Sequence, residues 1–164
     1  MKIGRRTFLG LGGLGLAAGG AFLFTRGEAE AVPTGDATLR LTDAEWRRRL
    51  SPQAYSVLRR AATERSGSSP LDREHRRGTF HCAGCNQRLF ASADKFDSGT
   101  GWPSFTRPLP NAVGLREDNT LFTARTEVHC RRCAGHLGHL FDDGPPPSGK
   151  RYCMNGVAMR FVAA

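Results

Sequence analysis

Two Cys-x-x-Cys motifs constrain this sequence more than any other feature. The first pair is Cys82 and Cys85, and the second is Cys130 and Cys133. Two such pairs far apart in a sequence are typical of a zinc site, because cysteines separated by two intervening residues can both face one metal across a tight turn. Four thiolates complete a tetrahedron and leave no open position, so we expect a structural zinc that stabilises the fold.

Two alternatives to zinc are open at the level of sequence. An exported protein could join the four cysteines as two disulfides, since compartments outside the cytoplasm are oxidising. A single Cys-x-x-Cys would also fit a thioredoxin-like redox pair, but the strand–helix context of that motif is missing here. The paired arrangement favours the metal, and we expect Gly84 and Gly135 to ease the two tight turns.

The first 31 residues have the layout of an export signal. Three cations near the start precede an uncharged stretch, residues 8–24, that is rich in Gly, Leu and Ala. These cations are Lys2, Arg5 and Arg6. Residues 5–9 resemble a twin-arginine export motif, although the flanking glycines are not its usual residues. An ordinary secretory signal and an uncleaved membrane anchor are the alternatives.

These features divide the chain into three parts. We predict a twin-arginine-like export signal over residues 1–31, a linker over residues 32–40 and one domain over residues 41–164. A domain of this length can bury a modest core. We expect the protein to be exported, and to be either periplasmic or membrane-anchored with its domain facing the periplasm.

The charge balance of the chain is strongly basic. The formal net charge is +9, to which the four cations and two anions of the first 31 residues contribute +2. Such a balance is compatible with binding to nucleic acid or to an anionic surface. The basic residues are spread along the chain, however, and residues 47–49 and 76–77 form only short runs. We therefore expect no nucleic-acid partner.

The start of the domain carries helix signals over residues 41–65. Thr42 and Glu45 have the spacing of a capping box, in which each side chain satisfies the other residue's backbone N–H. The dipeptide Ser51-Pro52 can begin a second helix, with the serine as N-cap and the proline in the first turn. The large aromatic side chains of this region are expected in the core. They are Trp46 and Tyr55.

The pattern changes to strands from about residue 79. Strands are predicted over residues 79–81, 88–90, 121–129 and 157–161, with a turn over residues 117–120. Residues 121–129 alternate, so that Val128 and Glu127 point to opposite faces. Because strands and helices do not alternate along the chain, we expect antiparallel sheets with the short helices at the N-terminal end.

Cys153 is the one cysteine outside the two pairs. A catalytic cysteine needs its thiolate form, and nearby cations lower the pKa of a thiol. Lys150, Arg151 and the histidines His136 and His139 are candidates for that effect. The alternatives are a buried, inert cysteine and histidines that are structural or bind a metal.

Several motifs in a fixed order resemble those of the B class of methionine sulfoxide reductases. They are residues 82–85 (CAGC), 95–105 (KFDSGTGWPSF), 130–133 with 135–139 (CRRC, GHLGH), 141–145 (FDDGP) and 151–155 (RYCMN). The resemblance extends over residues 41–161, which is nearly the whole predicted domain. It implies a mainly β fold, with a pair of antiparallel sheets, short N-terminal helices and a structural zinc held by the two Cys-x-x-Cys pairs.

The resemblance also implies a reaction. Enzymes of this class reduce the R epimer of methionine sulfoxide, so we expect oxidised proteins or peptides as substrate, with the free amino acid as an alternative. Cys153 would be the nucleophile that attacks the sulfoxide sulfur and becomes a sulfenic acid. His136 and His139 would orient and protonate the sulfoxide oxygen, either directly or through water.

Three further residues receive roles from the resemblance. Trp102 would form the apolar wall that holds the methyl group of the substrate, with Phe105 nearby. Asn155 would position the site through hydrogen bonds. A non-catalytic zinc-ribbon binding module is the alternative function, and it leaves Trp102, Cys153 and the histidine pair unexplained.

One position departs from the family pattern. Many members carry a resolving cysteine two residues before the tryptophan, and Thr100 occupies that position here. With four cysteines assigned to zinc, Cys153 has no internal thiol partner. We therefore expect an external reductant, either a small thiol or a thioredoxin-like protein, to regenerate the enzyme.

Overall fold

The computed structural model describes residues 37–119 and 124–164 of the chain. Within these ranges two short helices precede the strands: α1 spans Asp43–Arg49 and α2 spans Pro52–Arg60. No helix in the described ranges is long and apolar enough to cross a lipid bilayer. The predicted export signal, residues 1–31, lies outside the described residues.

The helix signals of the sequence form the expected caps. The Thr42 hydroxyl accepts from the backbone N–H of Glu45, whose carboxylate accepts from the backbone N–H of Thr42, so the capping box is confirmed. Ser51 caps α2, with proline in the first turn, as predicted. Helix α2 ends before the expected residue 65, because Ala61 has a left-handed φ of 52° and its N–H bonds back to the last turn.

The end of the predicted linker, residues 32–40, lies against the domain. Ala37 is buried, and the backbone N–H of Leu39 donates to the carbonyl of Arg132 at 2.9 Å. The Leu39 side chain packs against the core. Residues 37–40 therefore belong to the folded unit rather than to a free linker.

The strands form two antiparallel sheets, which confirms the predicted fold class. In chain order they are β1 Gly78–Cys82, β2 Arg88–Ala91, β3 Lys95–Phe96, β4 Ser104–Phe105, β5 Val113–Asp118, β6 Arg125–Cys130, β7 His136–Phe141, β8 Arg151–Met154 and β9 Met159–Ala163. The smaller sheet has the order β2-β1-β9 among the described strands. The larger sheet has the order β3-β4-β8-β7-β6-β5.

Two parts of the strand prediction differ from the structure. Glu117 and Asp118 were expected in a turn, but they lie in β5 and pair with residues of β6. Cross-strand ion pairs between these two charged strands, such as Arg125 with Asp118, explain why polar residues that resemble a turn form a strand instead. Val157, expected in the last strand, lies in a 3₁₀ turn, and residues 121–123 of the predicted strand 121–129 are outside the described ranges.

Aromatic side chains join the two sheets in the core. Phe105 on β4 stacks on Phe90 of β2, with ring centroids 4.3 Å apart, and meets Phe80 of β1 edge to face at 4.9 Å. All three side chains are fully buried. Trp46 and Tyr55 of the helices are buried as predicted and pack against the same core.

Candidate active site and metal centre

The four paired cysteines converge at one point between the sheets. Cys82 ends β1 and Cys130 ends β6, while Cys85 and Cys133 lie in the turns that follow. Their four sulfur atoms lie within 4.8 Å of one another, with Cys82 to Cys133 at 3.7 Å and Cys85 to Cys130 at 3.5 Å. Tetrahedral Zn–S bonds of about 2.3 Å place sulfurs about 3.8 Å apart, so the cluster fits zinc. The same separations are too long for disulfides, whose S–S bond is about 2.05 Å.

Both Cys-x-x-Cys turns have the same backbone geometry. The N–H of Asn86 donates to the carbonyl of Cys82 at 2.9 Å, and the N–H of Ala134 donates to the carbonyl of Cys130 at 2.8 Å. Asn86 and Ala134 adopt left-handed conformations, with φ of 63° and 55°. Because one turn belongs to the smaller sheet and the other to the larger, a zinc ion here would cross-link the two sheets.

The glycines of these motifs serve packing rather than turn formation. The left-handed residues of the two turns are Asn86 and Ala134, and not these glycines. A Cβ on Gly84 would lie 3.3 Å from the Trp46 ring, and one on Gly135 would lie 2.8 Å from a Leu58 methyl. The absence of side chains therefore lets the two turns approach the helices.

Without a cation, the cluster would not hold four thiolates. Contact with the Cys130 thiol, together with burial, raises the pKa of Cys82 and of Cys133. Hydrogen bonds from the neighbouring thiols lower the pKa of Cys85 and of Cys130. Cys82 and Cys133 thus hold their protons more tightly than a free cysteine does, and a divalent cation would supply the charge needed to release them.

A second site lies in the larger sheet, in a cavity of about 170 Å³. This volume is below the range of about 300–1,000 Å³ that is usual for drug-sized ligands, so the cavity suits a single side chain. Four residues predicted for the active site line it: Cys153, His139, Trp102 and Asn155. The sheet register brings two of them together, because Cys153 on β8 pairs directly with His139 on β7.

The Cys153 thiol is half-buried and lies among polar groups. Burial raises its pKa, and the cation of Arg151 with the hydroxyls of Thr100 and Ser104 opposes that rise. Ser104 is the residue opposite Cys153 on β4. The hydroxyl of Thr100 therefore lies beside the Cys153 thiol, at the position where the family resemblance would lead one to expect a resolving cysteine.

Of the two cations predicted near the thiol, the structure selects Arg151. Its guanidinium forms two hydrogen bonds of 2.7 and 2.8 Å with Asp143 and lies 4.4 Å from the centre of the Phe141 ring. Lys150 instead pairs with Asp142 at the surface. Arg151 is thus held in place by partners on both sides, in a position to stabilise a thiolate at Cys153.

His139 is held by an acidic partner on the edge strand. Its Nε2 lies 2.7 Å from an Asp118 carboxylate oxygen, which also accepts from Arg125 at 2.7 Å. Burial lowers the pKa of His139, although the hydrogen bond to Asp118 opposes the decrease. The surroundings therefore favour the neutral imidazole. With its proton on Nε2 toward Asp118, Nδ1 is the acceptor that can take a proton from a thiol or a water.

His136 lies next to His139 but does not line the cavity. The two rings meet edge to face with centroids 5.2 Å apart. Its Nδ1 lies 2.8 Å from the Glu127 carboxylate, and its buried Nε2 has no hydrogen-bond partner among the described residues. Burial alone would raise the pKa of Glu127, but hydrogen bonds from His136 and Arg116 outweigh it and keep the carboxylate ionised.

The remaining predicted residues are placed differently. Trp102 forms part of the cavity wall, as expected for an apolar contact with a substrate. Phe105 is fully buried against Phe90, so the structure assigns it to the core, and Phe141 lines the cavity instead. Asn155 is buried, and its side chain donates to the carbonyl of Leu137 at 3.0 Å.

Two acidic residues were missed by the sequence analysis. Asp118 and Glu127 hold the two histidines, and the register of the larger sheet places them there. The only signal available for Glu127 was its place on the polar face of an alternating strand. Asp118 gave no signal, because it was expected in a turn.

The pH dependence of Cys153 reactivity follows from its surroundings. Because its pKa is raised by burial, we expect alkylation by iodoacetamide to accelerate as pH rises through the alkaline range. An Arg151→Met substitution removes the opposing cation, so the pKa should rise further and alkylation at pH 7 should slow. The matched control is Lys150→Met, which loses a cation that pairs with Asp142 at the surface. Equal rates in wild type and Arg151→Met at every pH would contradict the role of the guanidinium.

The small cavity combines one thiol, Cys153, with the imidazole of His139, and these two groups define a cysteine-based catalytic site. The site lies on a β fold whose two sheets meet at a cluster of four cysteines. Residues 50–163 match the SelR domain family, and the chain belongs to this family. The peptide methionine sulfoxide reductase MsrB of Bradyrhizobium diazoefficiens is 48% identical over 134 residues, which cover 81% of this chain and 96% of the relative. The enzyme of the same name from Thiobacillus denitrificans is 51% identical over 122 residues, covering 73% and 92%.

One solved structure resembles part of this chain only weakly. The crystal structure of the Mis18 'Yippee-like' domain aligns with a TM-score of 0.42 at 15% identity, over 54% of this chain and 98% of that chain. A likeness of this extent carries no argument about function.

Proposed function

We propose that this protein is a peptide-methionine (R)-S-oxide reductase, which converts methionine-R-sulfoxide to methionine. The observation that carries the proposal is the pairing of Cys153 with His139 on adjacent strands, in a cavity walled by Trp102. Relatives at 48% and 51% identity are named peptide methionine sulfoxide reductase MsrB, which supports this proposal. The test is to supply each epimer of methionine sulfoxide with a dithiol reductant. Consumption of the R epimer alone is expected, and consumption of neither would contradict the proposal.

The reductive step uses groups that the cavity brings together. The sulfur of Cys153 attacks the sulfoxide sulfur, and the sulfoxide oxygen is transferred to Cys153, which becomes a sulfenic acid as methionine leaves. The thiol proton passes through Nδ1 of His139 to the oxygen, so that the neutral ring acts first as base and then as acid. The sulfoxide is reduced by two electrons and Cys153 is oxidised by two.

The walls of the cavity account for the choice of substrate. Trp102 and Phe141 offer apolar faces to the methyl and methylene groups of the substrate. Arg125, which also lines the cavity, is held by Asp118. In the proposed arrangement the apolar groups of the substrate lie against these rings, and the sulfoxide oxygen lies on the polar side with His139.

Regeneration completes the cycle with an external thiol reductant. One thiol condenses with the sulfenic acid, which releases water and leaves a mixed disulfide at Cys153, and a second thiol then releases the enzyme and a disulfide product. A thioredoxin-like protein is the partner we propose, because its two thiols can supply both steps. A small thiol such as glutathione is the alternative, and comparing turnover with each at equal thiol concentration decides between them.

The identity of residue 100 makes regeneration testable. After one turnover without reductant, the wild type should carry an oxidised Cys153 and no intramolecular disulfide, since Thr100 has no thiol to offer. A Thr100→Cys variant should instead form a disulfide with Cys153, because the Thr100 hydroxyl already lies against that thiol. Mass spectrometry of both proteins checks this. A wild-type bridge between Cys153 and any paired cysteine would mean that one pair is a redox site and not a zinc ligand pair.

We also propose that the protein acts in the periplasm. Residues 1–31 support export through a twin-arginine route, which would carry the domain folded and with its metal. The protein would then repair oxidised proteins in the periplasm, either in solution or anchored in the membrane. Cell fractionation of wild type and of a variant with Arg5→Lys and Arg6→Lys tests this, and periplasmic protein in both would exclude the twin-arginine route.

A non-catalytic zinc-ribbon module would explain fewer features of this protein than the reductase does. It explains the four paired cysteines and the basic charge. It gives no reason for Cys153, His139 and Trp102 to share a cavity. No observation on the described residues favours it over the reductase.

A further inference from the structure

Glu64 lies at a junction of hydrogen bonds beside the active-site cavity. Its carboxylate accepts from the backbone N–H groups of Gly156 and Val157, the latter at 2.9 Å. Its own backbone N–H donates to the side-chain oxygen of Asn155 at 2.9 Å, and its carbonyl accepts from the indole N–H of Trp102 at 3.2 Å. One residue thus contacts two walls of the cavity and the segment that directly follows β8.

These bonds join parts of the chain that no sheet joins. Glu64 lies in the segment after α2, where the left-handed Ala61 has turned the chain away from the helix. Trp102 precedes β4 at one side of Cys153, and Asn155 follows Cys153 by two residues. Strand pairing fixes Cys153 against its neighbours on β4 and β7, but it does not fix Trp102 or Asn155, which lie outside the strands.

Asn155 connects Glu64 to the larger sheet. Its backbone N–H and its side-chain amide both donate to the carbonyl of Leu137 on β7, at 2.8 and 3.0 Å. The side-chain oxygen is thereby directed at the Glu64 N–H. The end of β8 is therefore attached to β7 on one side and to Glu64 on the other.

We propose that Glu64 is a positioning residue of this active site, which sets Trp102 and Asn155 relative to Cys153. This inference rests on the proposed function. Glu64 does not itself line the active-site cavity, and both of its carboxylate oxygens are occupied by backbone N–H groups. It therefore acts through its neighbours and not as a proton donor to the substrate.

A Glu64→Gln substitution isolates the effect of the carboxylate. The side chain keeps its size, but one acceptor oxygen becomes an NH₂ group, which cannot accept from a backbone N–H. Either Gly156 or Val157 then faces a donor, and the segment after Cys153 must shift. Because a misplacement of about 1 Å can cost about 10²-fold in rate, we expect kcat/KM for the R epimer to fall by roughly 10- to 100-fold.

Two further measurements distinguish a local effect at the active site from a general loss of structure. Alkylation of Cys153 by iodoacetamide requires neither Trp102 nor Asn155, so Glu64→Gln should keep the wild-type alkylation rate and its zinc. The chain has two tryptophans, so its ¹H–¹⁵N spectrum should show two indole peaks. The peak of Trp102 should move in Glu64→Gln, while that of Trp46 should stay in place.

The matched control is Glu45→Gln. That carboxylate also accepts from a backbone N–H, at 2.7 Å from Thr42, but at the exposed start of α1. It should leave turnover and the Trp102 indole peak unchanged. A second variant, Trp102→Phe, removes the indole donor, and combined with Glu64→Gln it should cost less than the product of the two single losses.

The outcomes separate the possible failures. Full turnover in Glu64→Gln, or multiplicative losses in the double variant, would overturn the positioning role. Loss of zinc together with movement of the Trp46 peak would also overturn it, since Glu64 would then support the whole fold. If the wild type reduces neither epimer, the proposed function fails, and an unmoved Trp102 peak would separately reject the coupling between Glu64 and Trp102.

Discussion

A Cys153→Ser variant should lose turnover of methionine-R-sulfoxide by more than about 10³-fold, as expected for removal of a covalent nucleophile. A serine hydroxyl keeps its proton at neutral pH, and it cannot take up the sulfoxide oxygen as a thiolate sulfur does. Cys153 is also the one cysteine outside the two pairs, so no other free thiol can replace it.

The same variant should keep its fold. Serine is close to cysteine in size, and Cys153 lies at a cavity rather than in the core, so the free energy of unfolding should change by about 1 kcal/mol or less. Zinc content and thermal melting curves check this. Retained turnover in a folded Cys153→Ser protein would remove Cys153 from the mechanism.

A Cys130→Ser variant should lose zinc and much of its stability. Cys130 belongs to the turn of the larger sheet, so its loss leaves three ligands, only one of them, Cys133, on the larger sheet. Structural zinc sites contribute apparent binding free energies of about 10–16 kcal/mol, and this binding energy is folding energy. A loss of several kcal/mol would exceed what most domains can tolerate.

Metal analysis and thermal melts of Cys130→Ser, with Cys153→Ser as the matched control, decide this prediction. Both variants replace one cysteine by serine, but the account predicts zinc loss and a lower melting temperature in Cys130→Ser alone. Treatment of the wild type with a strong chelator should reproduce the effect. A stable wild type that contains no zinc would contradict the metal centre.

The features that sequence predicted well are those whose partners lie close together in the chain. The capping box of Thr42 and Glu45 needs only three residues of spacing, so it can be read directly from the sequence. Each Cys-x-x-Cys turn is equally local. That the two turns meet at one metal followed from the chemistry of four thiolates, and the structure confirms it.

Features that depend on sheet register were not predicted. Asp118 reaches His139 because β5, β6 and β7 are neighbours in one sheet, an order that the sequence pattern does not specify. The side of the sheet on which an aromatic ring lies also depends on strand register and strand order, and it was not predicted. Phe105 and Phe141 are both strand phenylalanines, yet one lies in the core and the other at the cavity.

The contacts of Glu64 could not be predicted from the sequence for another reason. They are made by a segment without regular structure, and two of its four bonds use backbone atoms of Glu64 that any residue would have. No property of the glutamate in the sequence indicates that its neighbours are Trp102 and Asn155. Only the folded arrangement shows that this carboxylate is attached to the active site.

The measurement that tests the central claim most directly is a single turnover without reductant. The wild type is mixed with one equivalent of a peptide that contains methionine-R-sulfoxide, and both products are identified by mass spectrometry after sulfenic acids are trapped with a selective carbon nucleophile. The account predicts one methionine per protein and one trapped sulfenic acid, located at Cys153. Formation of methionine with an unmodified Cys153, or no methionine from a protein that holds its zinc, would contradict it.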